Sequence, residues 1–100
     1  MKKHFIRKNY IRKHFVFHGH VQGVGFRYYA SNAAKRLGAS GWVRNLLDGT
    51  VECEIQGTSD MIDSFLATLQ NARYIRIDYI EQKEIDVKEE SCFKIKDYYF

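Results

Sequence analysis

Residues 19–27 read GHVQGVGFR, three glycines followed by an aromatic residue and an arginine. A strand-forming segment precedes this stretch and a helical pattern follows it, so it predicts a tight strand-to-helix connection, here called the glycine loop. Glycine accepts positive φ angles, and successive N–H groups of such a loop can converge on one anion. The helix adds the positive end of its dipole at the same point. A purely structural turn would use the same glycines, so the loop alone leaves both interpretations open.

Arg27 favours the anion-binding interpretation, because its planar guanidinium matches phosphate oxygens and a simple turn does not need it. Two other phosphate-binding glycine motifs do not fit. A Walker A loop requires Lys followed by Ser or Thr, a pair that occurs nowhere in the chain. A dinucleotide-binding motif requires a third glycine where Tyr28 stands, on a fold larger than 100 residues can form. The loop therefore predicts a site for one small phosphate group.

The glycine loop, the run GWVRN at 41–45 and the run DGTVECEIQG at 48–57 together resemble the acylphosphatase family. The resemblance extends from Phe15 to about Tyr98. It implies a small ferredoxin-like enzyme that hydrolyses acyl phosphates with no metal or other cofactor. Its catalytic residues would be Arg27 and Asn45, and inorganic phosphate or sulfate would be a ligand. The residues expected to bind phosphate are Gly19, His20, Val21, Gln22, Gly23, Val24, Gly25, Phe26 and Arg27.

Asn45 has a side chain suited to holding a water molecule. Its amide both donates and accepts hydrogen bonds, yet it is too weak a base to deprotonate water. If the loop after the first strand and the end of the second strand lie side by side, Asn45 faces the glycine loop. Asn45 also stands near a predicted hairpin, where a local bond to the backbone is the alternative role.

The first helix is predicted over 26–37. Apolar residues recur there at helical spacing, and Gly38 stands where a C-terminal cap belongs. Thr58 or Ser59 can cap a second helix. Its apolar stripe consists of Met61, Ile62, Phe65, Leu66 and Leu69. After this helix, Asn71 is a residue that can adopt the left-handed conformation of a helix-ending turn.

Strands are predicted between and around these helices. The first covers 14–18, and a hairpin of strands 42–46 and 50–56 turns at Asp48 and Gly49. In the second hairpin strand Val51, Cys53 and Ile55 alternate with Glu52, Glu54 and Gln56, which predicts one buried and one solvated face. Further strands are expected around 75–79 and 93–95, with a solvated strand end and loop over 81–90.

The order β-α-β-β-α-β predicts an α+β fold of the ferredoxin-like split βαβ type. We expect an antiparallel sheet of four to five strands with two helices on one face.

Charge is distributed unevenly along the chain. Residues 1–14 contain six Lys and Arg and no acid, so with a total of +4 the remaining residues carry −2. The sequence therefore predicts a basic N-terminal extension over 1–14 and an acylphosphatase-like domain over 15–100. The extension could stay solvated, attract nucleic acid or a membrane surface, pack on the domain or prolong the first strand.

Few other side chains suggest a site. His14, His18 and His20 share one side of an extended strand, but no fourth metal ligand is apparent, so we expect no metal. Cys53 and Cys92 do not form a metal or disulfide pattern, and free thiols are expected. No apolar run reaches the length of a membrane span. A cytoplasmic monomer whose partner is a small acyl phosphate is the expectation.

Two other functions remain as alternatives. RNA-recognition domains share the split βαβ layout, but they stack bases on exposed aromatics where this chain has the carboxylates of Glu52 and Glu54. Because carboxylates repel a phosphate backbone, nucleic acid is not the expected partner. Larger maturation proteins also contain an acylphosphatase-like domain. Since those continue into zinc-binding and transferase regions and this chain stops at Phe100, a free-standing enzyme is expected.

Overall fold

The computed structural model describes residues 7–97, and the predicted order of strands and helices is confirmed. Residues 1–6 of the predicted extension and residues 98–100 of the predicted domain lie outside the described range. The elements are β1 (Ile11–His20), α1 (Phe26–Leu37), β2 (Ser40–Asn45), β3 (Val51–Gly57), α2 (Ser59–Gln70), β4 (Arg76–Ile85) and β5 (Phe93–Ile95).

The five strands form one sheet in the order β4-β1-β3-β2-β5. The first four pair antiparallel, whereas β5 runs parallel to β2, with Trp42 opposite Lys94. The prediction of a wholly antiparallel sheet is therefore wrong at this edge. Residues 86–92 cross the sheet from β4 to the end where β2 begins, so β5 starts there and follows the direction of β2.

The hydrophobic core lies between one face of the sheet and the two helices, as predicted. Phe15 and Phe17 of β1 and Ile62 and Phe65 of α2 are all buried in it. Phe26, the first residue of α1, packs on Phe17 with ring centroids 4.9 Å apart. This contact fixes the start of α1 against β1, so the connection between them is held at both ends.

Capping residues set the helix boundaries. Gly38 ends α1 with a φ of 76°, and the Thr58 hydroxyl accepts a hydrogen bond from the N–H of Met61 at 3.1 Å, so both predicted caps are confirmed. Asn71 does not use the left-handed conformation open to it, because its φ is −95°. Its N–H still donates to the carbonyl of Ala67 at 3.0 Å, so the helical backbone continues into this residue.

The first strand begins at Ile11, three residues before its predicted start. Ile11 pairs with Gly57 of β3, and Arg12 pairs with Gln56 on one side and Ile85 on the other. Residues 11–14 of the predicted extension thus belong to the sheet. Of the alternatives for the extension, these four residues prolong the first strand.

Arg12 is fully buried on the sheet face that the helices leave open. Its Nε donates to Glu54 of β3 and its Nη1 to Glu90 of the crossing segment, each at 2.8 Å. The Gln56 side chain accepts from the N–H of Lys88 and donates to its carbonyl. The predicted solvated face is therefore wrong at Glu54 and Gln56, because residues 86–92 cover them.

We expect Arg12→Ala to lower the free energy of unfolding by about 3 kcal/mol, because it leaves the carboxylates of Glu54 and Glu90 without their shared cation. Urea denaturation followed by circular dichroism measures the change. Lys13→Ala is the matched control, since Lys13 is the next residue of the same strand and its only side-chain bond within residues 7–97 is an exposed 3.5 Å contact with Gln82. A loss for Arg12→Ala no larger than that of the control would contradict the prediction.

Candidate active site

The connection between β1 and α1 presents backbone donors to solvent. Gly23 and Gly25 adopt the left-handed conformation, with φ of 74° and 81°. Gly25 is also the N-cap of α1, and no side chain caps this end. The first intrahelical bond runs from the N–H of Tyr29 to the carbonyl of Gly25. The N–H groups before Tyr29 therefore have no partner within the helix, an arrangement suited to an anion.

A cavity of about 220 Å³ opens at this helix end. It brings Arg27 of α1 together with Asn45 of β2, as the sequence led us to expect. Among residues 7–97 no carboxylate pairs with the Arg27 guanidinium. The Arg27 guanidinium, which has no counter-ion among the described residues, and the side-chain amide of Asn45 thus face the same cavity. The lining residues are Val21, Gly23, Gly25, Phe26, Arg27, Tyr28, Asn45 and Ile95.

Asn45 reaches the cavity because it is the last residue of β2, opposite Val51 of β3. Only 6% of its surface is exposed. Its side-chain amide makes no hydrogen bond to any residue between 7 and 97, so the alternative of a local backbone bond is not observed there. The amide is therefore available to a molecule in the cavity.

The hairpin that carries Asn45 is held by its own turn. The N–H and hydroxyl of Thr50 both donate to the Asp48 carboxylate, at 3.0 and 2.6 Å, and these bonds lower the pKa of Asp48. Gly49 takes a φ of 92°, and the N–H of Leu46 donates to the carbonyl of Thr50. The predicted Asp-Gly hairpin is confirmed, and it closes directly after Asn45.

Gln22 connects the glycine loop to this hairpin. Its Nε2 donates to the carbonyls of Leu46 and Thr50, at 2.8 Å each. The sequence analysis assigned Gln22 to phosphate binding, whereas its amide nitrogen is engaged with the hairpin backbone. No signal in the sequence identified this partner, because the bonded carbonyls can belong to any residue type. Through Gln22 the loop and the residue after Asn45 hold one another in place.

Other residues of the glycine loop do not line this cavity. Gly19 lies in β1 with a φ of 137°, where a Cβ would stand 2.1 Å from the carbonyl oxygen of Arg76. The close approach of β4 therefore accounts for this glycine. His20 and Val24 line an adjoining cavity of about 440 Å³, together with Gly23 and Tyr74. Gly23 is the residue that the two cavities share, and the sequence analysis did not identify Tyr74.

Two histidines of β1 each contact a single carboxylate. His14 lies 2.7 Å from Glu52, and His18 lies 2.6 Å from Glu81. No group of three or more His, Cys, Asp or Glu side chains able to hold a metal ion is present within the described range.

Both cysteines are free thiols. Cys53 is buried and Cys92 exposed. Burial raises the pKa of the Cys53 thiol, so it is a poor nucleophile as well as inaccessible. Neither helix of the described chain is long and apolar enough to cross a membrane.

Comparison with known proteins gives consistent results. The acylphosphatase family model matches residues 13–95. An acylphosphatase of Bifidobacterium longum is 42% identical over 85 residues, which cover 84% of this chain and 88% of that protein. The crystal structure of acylphosphatase from Bacillus subtilis superposes with a TM-score of 0.81 at 30% identity, covering 86% of this chain and 98% of that one.

A larger protein shares the same fold in one part of its length. Full-length HypF, solved in a phosphate- and nucleotide-bound form, matches with a TM-score of 0.80 at 29% identity. The match covers 89% of this chain but 12% of HypF. The present fold therefore corresponds to a small portion of that protein.

Proposed function

The chain belongs to the acylphosphatase family, whose members hydrolyse acyl phosphates to a carboxylate and inorganic phosphate, and we propose that Arg27 and Asn45 divide the work of catalysis. One observation carries this assignment. The two residues, from separate elements, line the same cavity as the glycine loop and the start of α1. A cation, backbone donors and an uncommitted amide around one small space match the needs of phosphoryl transfer to water.

Arg27 and the backbone N–H groups hold the phosphoryl group. The guanidinium donates to two oxygens at once, and the helix end adds positive potential. Both interactions strengthen as charge shifts onto the phosphoryl oxygens in the transition state. Within the glycine loop, Val21, Gly23 and Gly25 shape this binding surface.

The leaving group needs no general acid. A carboxylic acid has a pKa of about 4, so the carboxylate departs as an anion when its bond to phosphorus breaks. No carboxylate or imidazole side chain lines the cavity within residues 7–97. Alkyl phosphates, whose alkoxide leaving groups require a proton, are therefore poor substrates for this site.

Asn45 positions the attacking water. Its carbonyl oxygen accepts a hydrogen bond from the water and directs the oxygen lone pair at phosphorus. As the new P–O bond forms and the acyl P–O bond breaks, the water loses a proton to a phosphoryl oxygen of the substrate. No protein base is needed. The product, inorganic phosphate, is still bound by Arg27 at the end of this step and then leaves the site.

We propose that the protein acts as a monomer in the cytoplasm, on a small-molecule substrate and without nucleic acid. All residues assigned to catalysis come from one chain, and free thiols suit a reducing compartment. We further propose that a basic extension precedes the domain and that it ends before Ile11, where β1 begins, rather than at residue 14.

We expect benzoyl phosphate to be hydrolysed at an unchanged rate in EDTA, because Arg27 and the loop amides supply the positive charge at the phosphoryl group. With p-nitrophenyl phosphate, kcat/KM should be lower by about 10²-fold or more, because p-nitrophenolate is a weaker leaving group than benzoate and the site is not built to assist its departure. Inorganic phosphate and sulfate should inhibit competitively. Loss of activity in EDTA, or similar kcat/KM for the two substrates, would contradict the mechanism.

A further inference from the structure

A groove beside the phosphate cavity has the size and lining to hold the organic part of the substrate. It encloses about 440 Å³, compared with about 220 Å³ for the cavity of Arg27 and Asn45. Its lining consists of His20, Gly23, Val24 and Tyr74, and it meets the phosphate cavity at Gly23. A Cβ at Gly23 would meet no atom within 4 Å among the described residues, so the junction is open.

From this arrangement, and on the basis of the function proposed above, we propose that the groove binds the acyl group and selects acyl phosphates with an aromatic acyl group. Tyr74 contributes an aromatic ring to the lining, Val24 an apolar side chain and His20 an imidazole. An acyl group as small as acetyl would leave most of this space filled with water.

In-line displacement supports this direction for the acyl group. The attacking water and the leaving oxygen lie on opposite sides of phosphorus. Asn45, which positions the water, lines the phosphate cavity but not the groove. The leaving carboxylate therefore points away from Asn45, and the groove that meets the cavity at Gly23, which Asn45 does not line, can receive the group it carries.

The turn that carries Tyr74 is anchored, although the Tyr74 side chain itself is exposed. It lies in the turn between α2 and β4, and the next residue, Ile75, is buried and donates its N–H to the carbonyl of Ala72. The guanidinium of Arg73 lies 5.5 Å from the centre of the Tyr74 ring. A large aromatic side chain left exposed beside a binding cavity is suited to stacking on a flat ligand.

The test compares kcat/KM for benzoyl phosphate with kcat/KM for acetyl phosphate in each variant. Tyr74→Ala should lower the benzoyl-to-acetyl ratio about fivefold, because only the benzoyl ring stacks on Tyr74. The kcat/KM for acetyl phosphate and the inhibition constant of inorganic phosphate should stay within twofold of wild type. Tyr74→Phe keeps the ring and should restore the ratio.

Tyr79→Ala is the matched control. Tyr79 is 60% exposed, close to the 63% of Tyr74, but it pairs with His18 on the sheet face away from the helices. It should leave the ratio unchanged. A second variant, Tyr28→Ala, tests the alternative that the acyl group lies within the phosphate cavity, since Tyr28 lines that cavity with Asn45.

An unchanged ratio in Tyr74→Ala, or a fall in Tyr28→Ala alone, would overturn the groove as the acyl site while leaving the proposed function intact. Failure of the wild-type protein to hydrolyse either acyl phosphate would instead contradict the proposed function. The benzoyl-to-acetyl ratio also distinguishes a lost acyl contact from a general loss of stability, because a variant that merely loses stability loses both activities together.

Discussion

Arg27→Gln should reduce kcat by about 10³-fold or more and weaken the binding of inorganic phosphate about tenfold or more. The guanidinium contacts phosphoryl oxygens both before and during the reaction, so its loss affects binding and turnover alike. A 10³-fold loss in rate corresponds to about 4 kcal/mol of transition-state stabilisation. Steady-state kinetics with benzoyl phosphate and a phosphate titration followed by calorimetry measure the two effects.

Arg36→Gln is the matched control for this variant. Arg36 is an exposed arginine in the last turn of the same helix, so its substitution removes the same charge at the far end of α1. We expect this control to retain wild-type turnover and phosphate affinity. An active Arg27→Gln variant, or equal losses in the two variants, would show that the cation at the start of α1 has no specific role.

The parts of the fold that the sequence predicted depend on interactions between neighbouring residues. The bounds of α1 follow from apolar spacing and from Gly38, whose conformation few other residues adopt. The β2–β3 hairpin follows from Asp48 and Gly49 in the same way. In each case the decisive residues lie within a few positions of the boundary they set.

The parts that the sequence did not predict depend on pairs far apart in the chain. In the sequence Arg12 is one of six basic residues of the predicted extension. Its burial is explained only by its ion pairs with Glu54 and Glu90. The parallel direction of β5 follows from residues 86–92 crossing the sheet, which no local pattern indicates. Burial of Glu54 beneath that segment has the same cause.

Only some residues of the candidate site could be named from the sequence. Arg27 and Asn45 were assigned together through the resemblance of their sequence runs to the acylphosphatase family, and both line the cavity at the start of α1. Tyr74 could not be named, because it joins the loop only through the packing of the turn after α2. The partners of Gln22 and Gly19 could not be predicted either, because both residues lie against backbone atoms of segments distant in the chain.

Asn45→Ala should lower kcat by about 10²-fold or more while the dissociation constant of inorganic phosphate stays within about threefold of wild type. The amide is assigned to the attacking water, so its removal leaves the bound phosphate with its ligands but misplaces the nucleophile. An interaction realised mainly in the transition state gives this separation of turnover from binding. The same kinetics and calorimetry used for Arg27→Gln provide the comparison.

Asn32→Ala supplies the control, because Asn32 is an exposed asparagine in α1, whereas Asn45 is buried at the end of β2. Circular dichroism and urea denaturation establish that both variants are folded at the assay temperature. Because phosphate binding reports on the loop, Arg27 and the helix end, its retention in Asn45→Ala would also show that the cavity itself is intact. If Asn45→Ala lost phosphate binding but kept its turnover, the roles assigned to Arg27 and Asn45 would be contradicted and would have to be exchanged. A loss of both would make Asn45 a part of the phosphate site, and the water would then need another partner.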